Sequence, residues 1–187
     1  MDKTYADTVR LLLAVAPDVF ANDIFAMKGG TAINLFVRDM PRLSVDIDVV
    51  YLPWQTPRDE ALQAINQELA AIAARVPPLG VQTRLVRAKD LGDTKLIVEN
   101  DASQVKIEVN VVFRGSVLPV ERRPLSAKIS DLFGVEFELP VLAPDELYAS
   151  KLVAALDRQH PRDLLDVWQL YESGDISDGM VACFAIY

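Results

Sequence analysis

The 187-residue chain is short of the residues that staple small folds or bind transition metals: it has one cysteine, Cys183, and one histidine, His160. A lone cysteine cannot close an internal disulfide, and one Cys with one His cannot form a zinc cluster, so a reducing, cytoplasmic setting is expected. It also lacks a surplus of positive charge. Against 27 Asp and Glu stand 19 Lys and Arg, a formal charge of −8, which excludes a generally cationic coat for nucleic acid or membrane. Any polyanionic partner has to meet a local basic patch. Long apolar runs are missing as well: Leu11 to Ala16 is preceded by Asp2 and Asp7 and stopped by Pro17-Asp18, too short for a secretory signal. No segment approaches the roughly 18 apolar residues of a membrane span. With 8 Gly, 11 Pro and 51% hydrophobic residues, collagen-like, low-complexity and disordered classes are poor fits, and one globular domain, with or without a small appendage, is expected.

The patterning is mixed α/β and then helical. Tyr5, Val9, Leu12, Leu13 and Ala16 recur at helical spacing over residues 4–16. Ile24 to Met27 reads as a strand that runs into Gly29-Gly30, with a helix over Thr31 to Val37. Val45, Ile47 and Val49 alternate with Asp46 and Asp48, the period of a half-buried strand with both aspartates on its other face. Thr56 is placed to cap a helix that opens at Pro57 and runs to about Val76, where Pro77-Pro78-Leu79-Gly80 stops it. Val81 to Val86, Thr94 to Glu99 and Val105 to Phe113 read as strands, the last two joined in a hairpin through Asn100-Asp101-Ala102-Ser103. Residues 114–142 carry little pattern beyond a candidate strand at Val135 to Leu139. Helices are expected over 144–157 and 161–173, with Pro161 opening the second, and from Ser177 onward. The one boundary in composition falls near residue 143.

Four groups of residues could carry chemistry. Lys28-Gly29-Gly30-Thr31-Ala32 sits at a strand-to-helix junction, where glycines admit a close ligand and free N–H groups favour a phosphate, although a Gly-Gly pair in such a place is more often plain turn chemistry. No Gly-Lys-Ser/Thr follows, so a P-loop is excluded. Ser44-Val45-Asp46-Ile47-Asp48 projects two carboxylates from one strand face, a repulsion that a magnesium ion relieves, although roughly four such acid-x-acid spacings arise by chance at this acid content. Glu108 shares a strand face with Lys106 and Asn110. A neighbouring strand could bring it beside Asp46 and Asp48 as a third carboxylate; the alternative is an exposed Lys106–Glu108 pair. Lys151 and Arg158 lie two helical turns apart on one face, with Asp163 and Asp166 in the next helix, an arrangement that suits a bulky anion or plain surface charge.

Together, Phe25 through Ala32, Pro41 through Asp48, Lys151 through Arg158 and Pro161 through Asp166 resemble the AbiEii/AbiGii family of nucleotidyltransferase toxins, which includes MenT-type toxins of type IV toxin–antitoxin pairs. The resemblance spans roughly residues 20–175. It implies a DNA polymerase β-like nucleotidyltransferase fold with a mixed sheet, its core over residues 1–142 and a helical C-terminal part over 143–187. Such proteins usually continue beyond the third C-terminal helix, so a shortened chain or a compact variant is expected. The implied reaction is magnesium-dependent transfer of a nucleoside monophosphate from an NTP to RNA, specifically the 3′ end of tRNA, with growth arrest as the outcome and a cognate antitoxin as a partner.

The expected roles follow from charge. Asp46, Asp48 and Glu108 hold two magnesium ions; Lys28, Gly29, Gly30 and Thr31 receive the phosphates; Lys151 and Arg158 neutralise the departing pyrophosphate; Asp163 positions Lys151 or a hydroxyl. RNA would follow the basic groups Arg84, Arg87 and Lys89; Arg122, Arg123 and Lys128; and Arg158 with Arg162. A small-molecule nucleotidyltransferase of the antibiotic-resistance type uses the same core without a basic path, and a non-catalytic nucleotide- or partner-binding module is the non-enzyme alternative.

Overall fold

A computed structural model describes residues 2–88, 92–174 and 176–187; Lys89, expected in one of the basic groups, lies outside them. Among the described residues seven strands form one mixed sheet in the order β3-β4-β5-β2-β1-β7-β6. They are β1 (Phe25–Lys28), β2 (Ile47–Tyr51), β3 (Gln82–Ala88), β4 (Gly92–Glu99), β5 (Gln104–Asn110), β6 (Glu121–Pro124) and β7 (Glu138–Val141). β2 runs antiparallel to β1 and parallel to β5, and β7 is parallel to β1. The middle strands are apolar nearly throughout: Phe25, Met27, Ile47, Val49 and Ile107 are fully buried, as expected where both sheet faces are covered.

Helix α1 (Lys3–Val19) begins where Asp2 accepts a hydrogen bond from the Thr4 N–H at 2.7 Å. It continues past the expected stop at Pro17, because a proline in the last turn removes a single backbone donor while Val19 and Phe20 gain burial in the core. α1 and α3 (Arg58–Arg75) pack over β3, β4 and β5. Pro57 is the residue before α3 rather than its first, and no side chain caps that end, so the capping expected of Thr56 is not used. The Pro77–Leu79 turn and left-handed Gly80 end α3 as read from sequence.

Three other departures have local causes. β2 starts at Ile47, which leaves Asp46 in the preceding loop instead of the strand. β5 ends at Asn110 because that side chain accepts from the N–H groups of Val112 and Phe113, both at 3.0 Å, and turns the chain. Residues 114–142 hold β6, α4 (Ala127–Phe133) and β7, the last beginning at Glu138. β6 is a charged four-residue edge strand and α4 has seven residues, both too short for periodicity to register.

After β1 the chain enters α2 (Gly29–Ala32), which widens into a π-helical segment over Ile33–Val37. Buried Asn34 holds this bend: its amide donates to the Gly30 carbonyl at 2.6 Å and its oxygen accepts from the Arg42 N–H at 3.2 Å. The C-terminal helices are α5 (Pro144–Arg158), α6 (Pro161–Ser173) and α7 (Asp178–Ile186), with α5 packed against α2, α6 and α7. Asn34→Leu keeps the side chain's approximate volume but removes a donor to the Gly30 carbonyl, which keeps the Ile33 N–H, and the acceptor of the Arg42 N–H. We expect a loss of about 2 kcal/mol in urea unfolding; an unchanged midpoint would show that Asn34 does not hold the bend.

Candidate active site

The sheet register sets the first half of the site. Lys28 on β1 pairs with Asp48 on β2, Asp48 with Glu108 on β5, and Glu108 with Lys95 on β4. Paired residues project to the same face, so two adjacent carboxylates stand between two lysines in one row across four strands. Lys95 Nζ donates to Glu108 Oε1 at 2.9 Å. Glu108's ion partner is thus the cross-strand Lys95, not Lys106, which stands in register with Ile97.

The glycines admit this row. Gly29 has φ +77°, open to glycine at little cost, and a Cβ there would run into Asp48 Oδ2. A Cβ on Gly30 would meet Arg42 and the Ser44 hydroxyl. Thr31 does not face a ligand as expected: it is fully buried, with its hydroxyl 3.0 Å from that of Ser44.

The C-terminal helices supply the second half. Lys151 Nζ donates to Asp163 Oδ1 at 2.9 Å and lies 3.4 Å from Asp166 Oδ2, while Arg158 donates to Asp163 Oδ2 at 2.8 Å. Asp166 takes a two-pronged pair from Arg42, Nε and Nη2 each at 2.6 Å, and its side chain has no exposure. Helix α6 is capped by His160, whose Nδ1 accepts from the Arg162 N–H at 3.2 Å, with Pro161 at the first position as expected.

Two cavities share Asp48, Glu108, Lys151 and Arg158. The smaller, about 210 Å³, is completed by Gly30, Arg42, Ser44, Asp46, His160, Arg162 and Asp163. The larger, about 490 Å³, adds Lys28, Gly29, Asn110, Phe113, Val153, Ala154 and Tyr187, among others. Every expected site residue except Thr31 therefore lines one or both. Of the expected basic groups, Arg158 and Arg162 are at the smaller cavity, whereas Arg84 and Arg87 are on β3 and Arg122 and Arg123 on β6, at opposite sheet edges.

Burial, first, and then the charges of Asp46 and Glu108 push the Asp48 carboxyl from 3.8 to about 6, against the opposing pull of Lys151 and Lys28. Burial also lowers Lys28, with Asp48 and Glu146 opposing it. Asp163 goes the other way: burial would raise it, but Lys151 and Arg158 outweigh that and hold it below the ordinary range. The hydrogen bonds from Arg42 to Asp166 keep the guanidinium firmly charged.

Among the described residues no three Asp, Glu, His or Cys side chains converge as a preformed metal centre. Glu108, the third expected carboxylate, stands beside Asp48 in register and is bonded to Lys95. Asp46 and Asp48 still suit magnesium, which is commonly bound through one or two carboxylates with water and substrate phosphates completing the shell. Burial and the neighbouring carboxylates leave the Asp48 charge poorly compensated, which suits a cation there.

This layout, a mixed sheet with paired carboxylates facing a lysine and arginine from a C-terminal helix, is that of a nucleotidyltransferase fold. Residues 10–187 match the family of nucleotidyl transferase AbiEii toxins of type IV toxin–antitoxin systems, and the chain belongs to that family. Its structure is similar to MenT4, the nucleotidyltransferase toxin Rv2826c from Mycobacterium tuberculosis H37Rv, with a TM-score of 0.65 and 21% identity over 98% of this chain and 65% of that one. It is also similar to the antibiotic-resistance factor ANT(2'')-Ia, with a TM-score of 0.55 and 14% identity over 100% of this chain and 92% of the other. The family match bears out the expected family, and the two likenesses bear out the expected fold. No curated protein matches the chain in sequence. No helix among the described residues is long and apolar enough to cross a membrane.

Sequence reasoning gave no site role to Arg42 and Asp166. Their signal was the i, i+3 spacing of Asp163 and Asp166, which turns both carboxylates to one face of α6. The raised carboxyl of Asp48 carries a stability signature. Folding raises its affinity for protons, so the ionised form costs stability, about 3 kcal/mol once pH exceeds 6. With a chelator present, Asp48→Asn should therefore melt higher than the parent chain above pH 7, and the gap should narrow as pH falls from 6 towards 4. A gap independent of pH would contradict the assignment.

Proposed function

We propose that this chain transfers a nucleoside monophosphate from an NTP to the 3′ end of tRNA, as a toxin restrained by a cognate antitoxin. The observation that carries the reading is the Lys151–Asp163–Arg158 group held across a cavity from Asp46 and Asp48. A triphosphate needs cations on one side of the reacting phosphorus and a metal-binding carboxylate pair on the other.

In this reading Asp46 and Asp48 hold magnesium, which when bound offsets phosphate charge and lowers the pKa of the acceptor hydroxyl. Glu108 draws the proton from that hydroxyl. The hydroxyl oxygen then forms a bond to the α-phosphorus as the bond to the bridging oxygen breaks, and pyrophosphate leaves towards Lys151 and Arg158. Asp163 keeps the Lys151 ammonium pointed at that leaving group, and Arg42 with Asp166 fixes the helix that carries it. Gly29 and Gly30 let the phosphates approach the backbone. Arg158, His160 and Arg162 form the rim that meets the acceptor end. An overall charge of −8 confines RNA to such a local patch, because binding of a polyanion rests on phosphate neutralisation by Lys and Arg.

The deciding assay incubates the protein with each labelled NTP, magnesium and total cellular RNA. Label is expected on tRNA 3′ ends and should vanish with Asp46→Asn or Asp48→Asn in folded protein. Label on an aminoglycoside and never on RNA would select the small-molecule reading, and no transfer to either would sink the enzyme assignment.

Lys151→Ala should lower single-turnover transfer about 100-fold, the scale of losing one charge-stabilising group. A fall in melting temperature with normal turnover per folded molecule would instead make Lys151 structural. Glu108→Gln should cut the rate sharply while leaving NTP binding nearly intact. Lys95→Met, which removes only a half-exposed ion pair, should change stability by about 1 kcal/mol or less. Equal, near-normal rates for both variants would remove Glu108 from the reaction.

A further inference from the structure

The two halves of the cavity differ in chemistry. Beyond the shared charged residues, the smaller cavity is bounded by Arg42, Asp46, His160, Arg162 and Asp163, a setting for phosphates. The larger leads to Phe113 and Tyr187, whose rings are stacked 4.4 Å apart at an interplanar angle of 8°. Both rings are partly exposed to the cavity, and Val153 and Ala154 of α5 face the same space.

This aromatic wall is held from behind. The Tyr187 hydroxyl donates to Glu146 Oε1 at 2.8 Å, and the fully buried Glu146 also accepts from the N–H groups of Val117 and Leu118. Lys28 Nζ lies 5.8 Å from the Tyr187 ring centroid, tying the wall to the charged row on the sheet. Asn110 completes it. Its amide oxygen is occupied by the Val112 and Phe113 N–H groups, while its NH₂ donates to no described protein atom.

We propose that the Phe113–Tyr187 pair, with Asn110, is the nucleoside subsite of this cavity, and that it orients the NTP with its base on the aromatic wall and its triphosphate towards Asp46 and Asp48. The inference rests on the nucleotidyltransferase reading above and adds direction and recognition to it. A nucleoside triphosphate is itself two-ended: the base has flat apolar faces and edge groups for hydrogen bonds, and the phosphates are highly charged. Reversing it would place the phosphates against two rings and two aliphatic side chains, away from Asp46, Arg42 and Arg162, which line the smaller cavity and not the larger. Tyr187 backs Phe113: one face of its ring is stacked on Phe113, Lys28 Nζ stands over the ring, and its hydroxyl is committed to Glu146, so the base meets Phe113. Asn110 offers a donor to a base or sugar oxygen.

The test separates the two ends with two probes, inorganic tripolyphosphate and a non-hydrolysable NTP, each with magnesium, titrated calorimetrically into the full chain. Phe113→Ala should weaken the NTP analogue about tenfold, the scale of losing one base–aromatic contact, and Tyr187→Ala, which removes the ring that backs Phe113, should weaken it in the same direction. Tripolyphosphate should bind as before within about twofold. Tyr187→Phe, which keeps the ring and loses only the Glu146 bond, should largely restore NTP affinity. Equal weakening of both probes, or of neither, would overturn the subsite. If the alanine variants fail to fold, transferred nuclear Overhauser effects in the unaltered protein decide: base protons must show contacts to Phe ring protons, and their absence refutes the proposal. If the analogue binds through the wall but no acceptor is ever labelled, the transfer reading fails while the subsite stands.

Discussion

Everything in the site depends on a charge held where water is scarce. Asp48 sits near the middle of a seven-stranded sheet, beside Glu108 in strict register and close to Asp46, and its carboxyl is pushed up to about 6. Two lysines bracket the Asp48–Glu108 pair along the row, yet they do not cancel the repulsion. Selection for stability alone would favour an amide or an apolar residue at Asp48, because an ionised group under these conditions is a net cost. A cation-bearing ligand turns that cost into affinity.

The C-terminal helices respond to the same constraint from the other side. Lys151 and Arg158, two turns apart on α5, both reach Asp163, and Lys151 also neighbours Asp166, itself gripped by Arg42. Such buried networks contribute little net stability, because desolvation offsets much of the attraction. What they provide is placement: the loop before β2, which carries Ser44 and Asp46, is fixed to α6, and α6 to Lys151. Asn34 and the π-helical bend tie the glycine segment to that same loop. The charged groups that line the cavities therefore come from distant parts of the chain but share one frame.

Much of this was legible in the sequence because the informative residues follow strong local rules. Alternation around Ile47 and Val49 marked the β2 strand, Pro161 marked the start of α6, and the Asn100–Ser103 turn marked the β4–β5 hairpin. The resemblance to the toxin family carried the fold. Register is a different matter: that Glu108 stands beside Asp48 and is bonded to Lys95 follows from strand pairing, which one sequence leaves open. Thr31 shows the limit of motif reading, since its hydroxyl turns inward to Ser44 while its glycine neighbours line the cavities. The Arg42–Asp166 pair spans 124 positions, so the Asp163–Asp166 spacing could point to a carboxylate face on α6 but not to Arg42 as its partner. β6 and α4 were missed because short charged segments at a sheet edge carry no hydrophobic period.

The central claim is that the charge at Asp48 is incomplete until a divalent cation and a triphosphate arrive together. Calorimetric titration of magnesium into the unaltered chain tests it directly, alone and in the presence of a non-hydrolysable NTP, at pH 6 and pH 8 in buffers of different ionisation enthalpy. Weak binding without the nucleotide, tight binding with it, and proton release at pH 6 that disappears at pH 8 are the expected results. Equally tight binding without nucleotide, or no proton release at pH 6, would contradict the account.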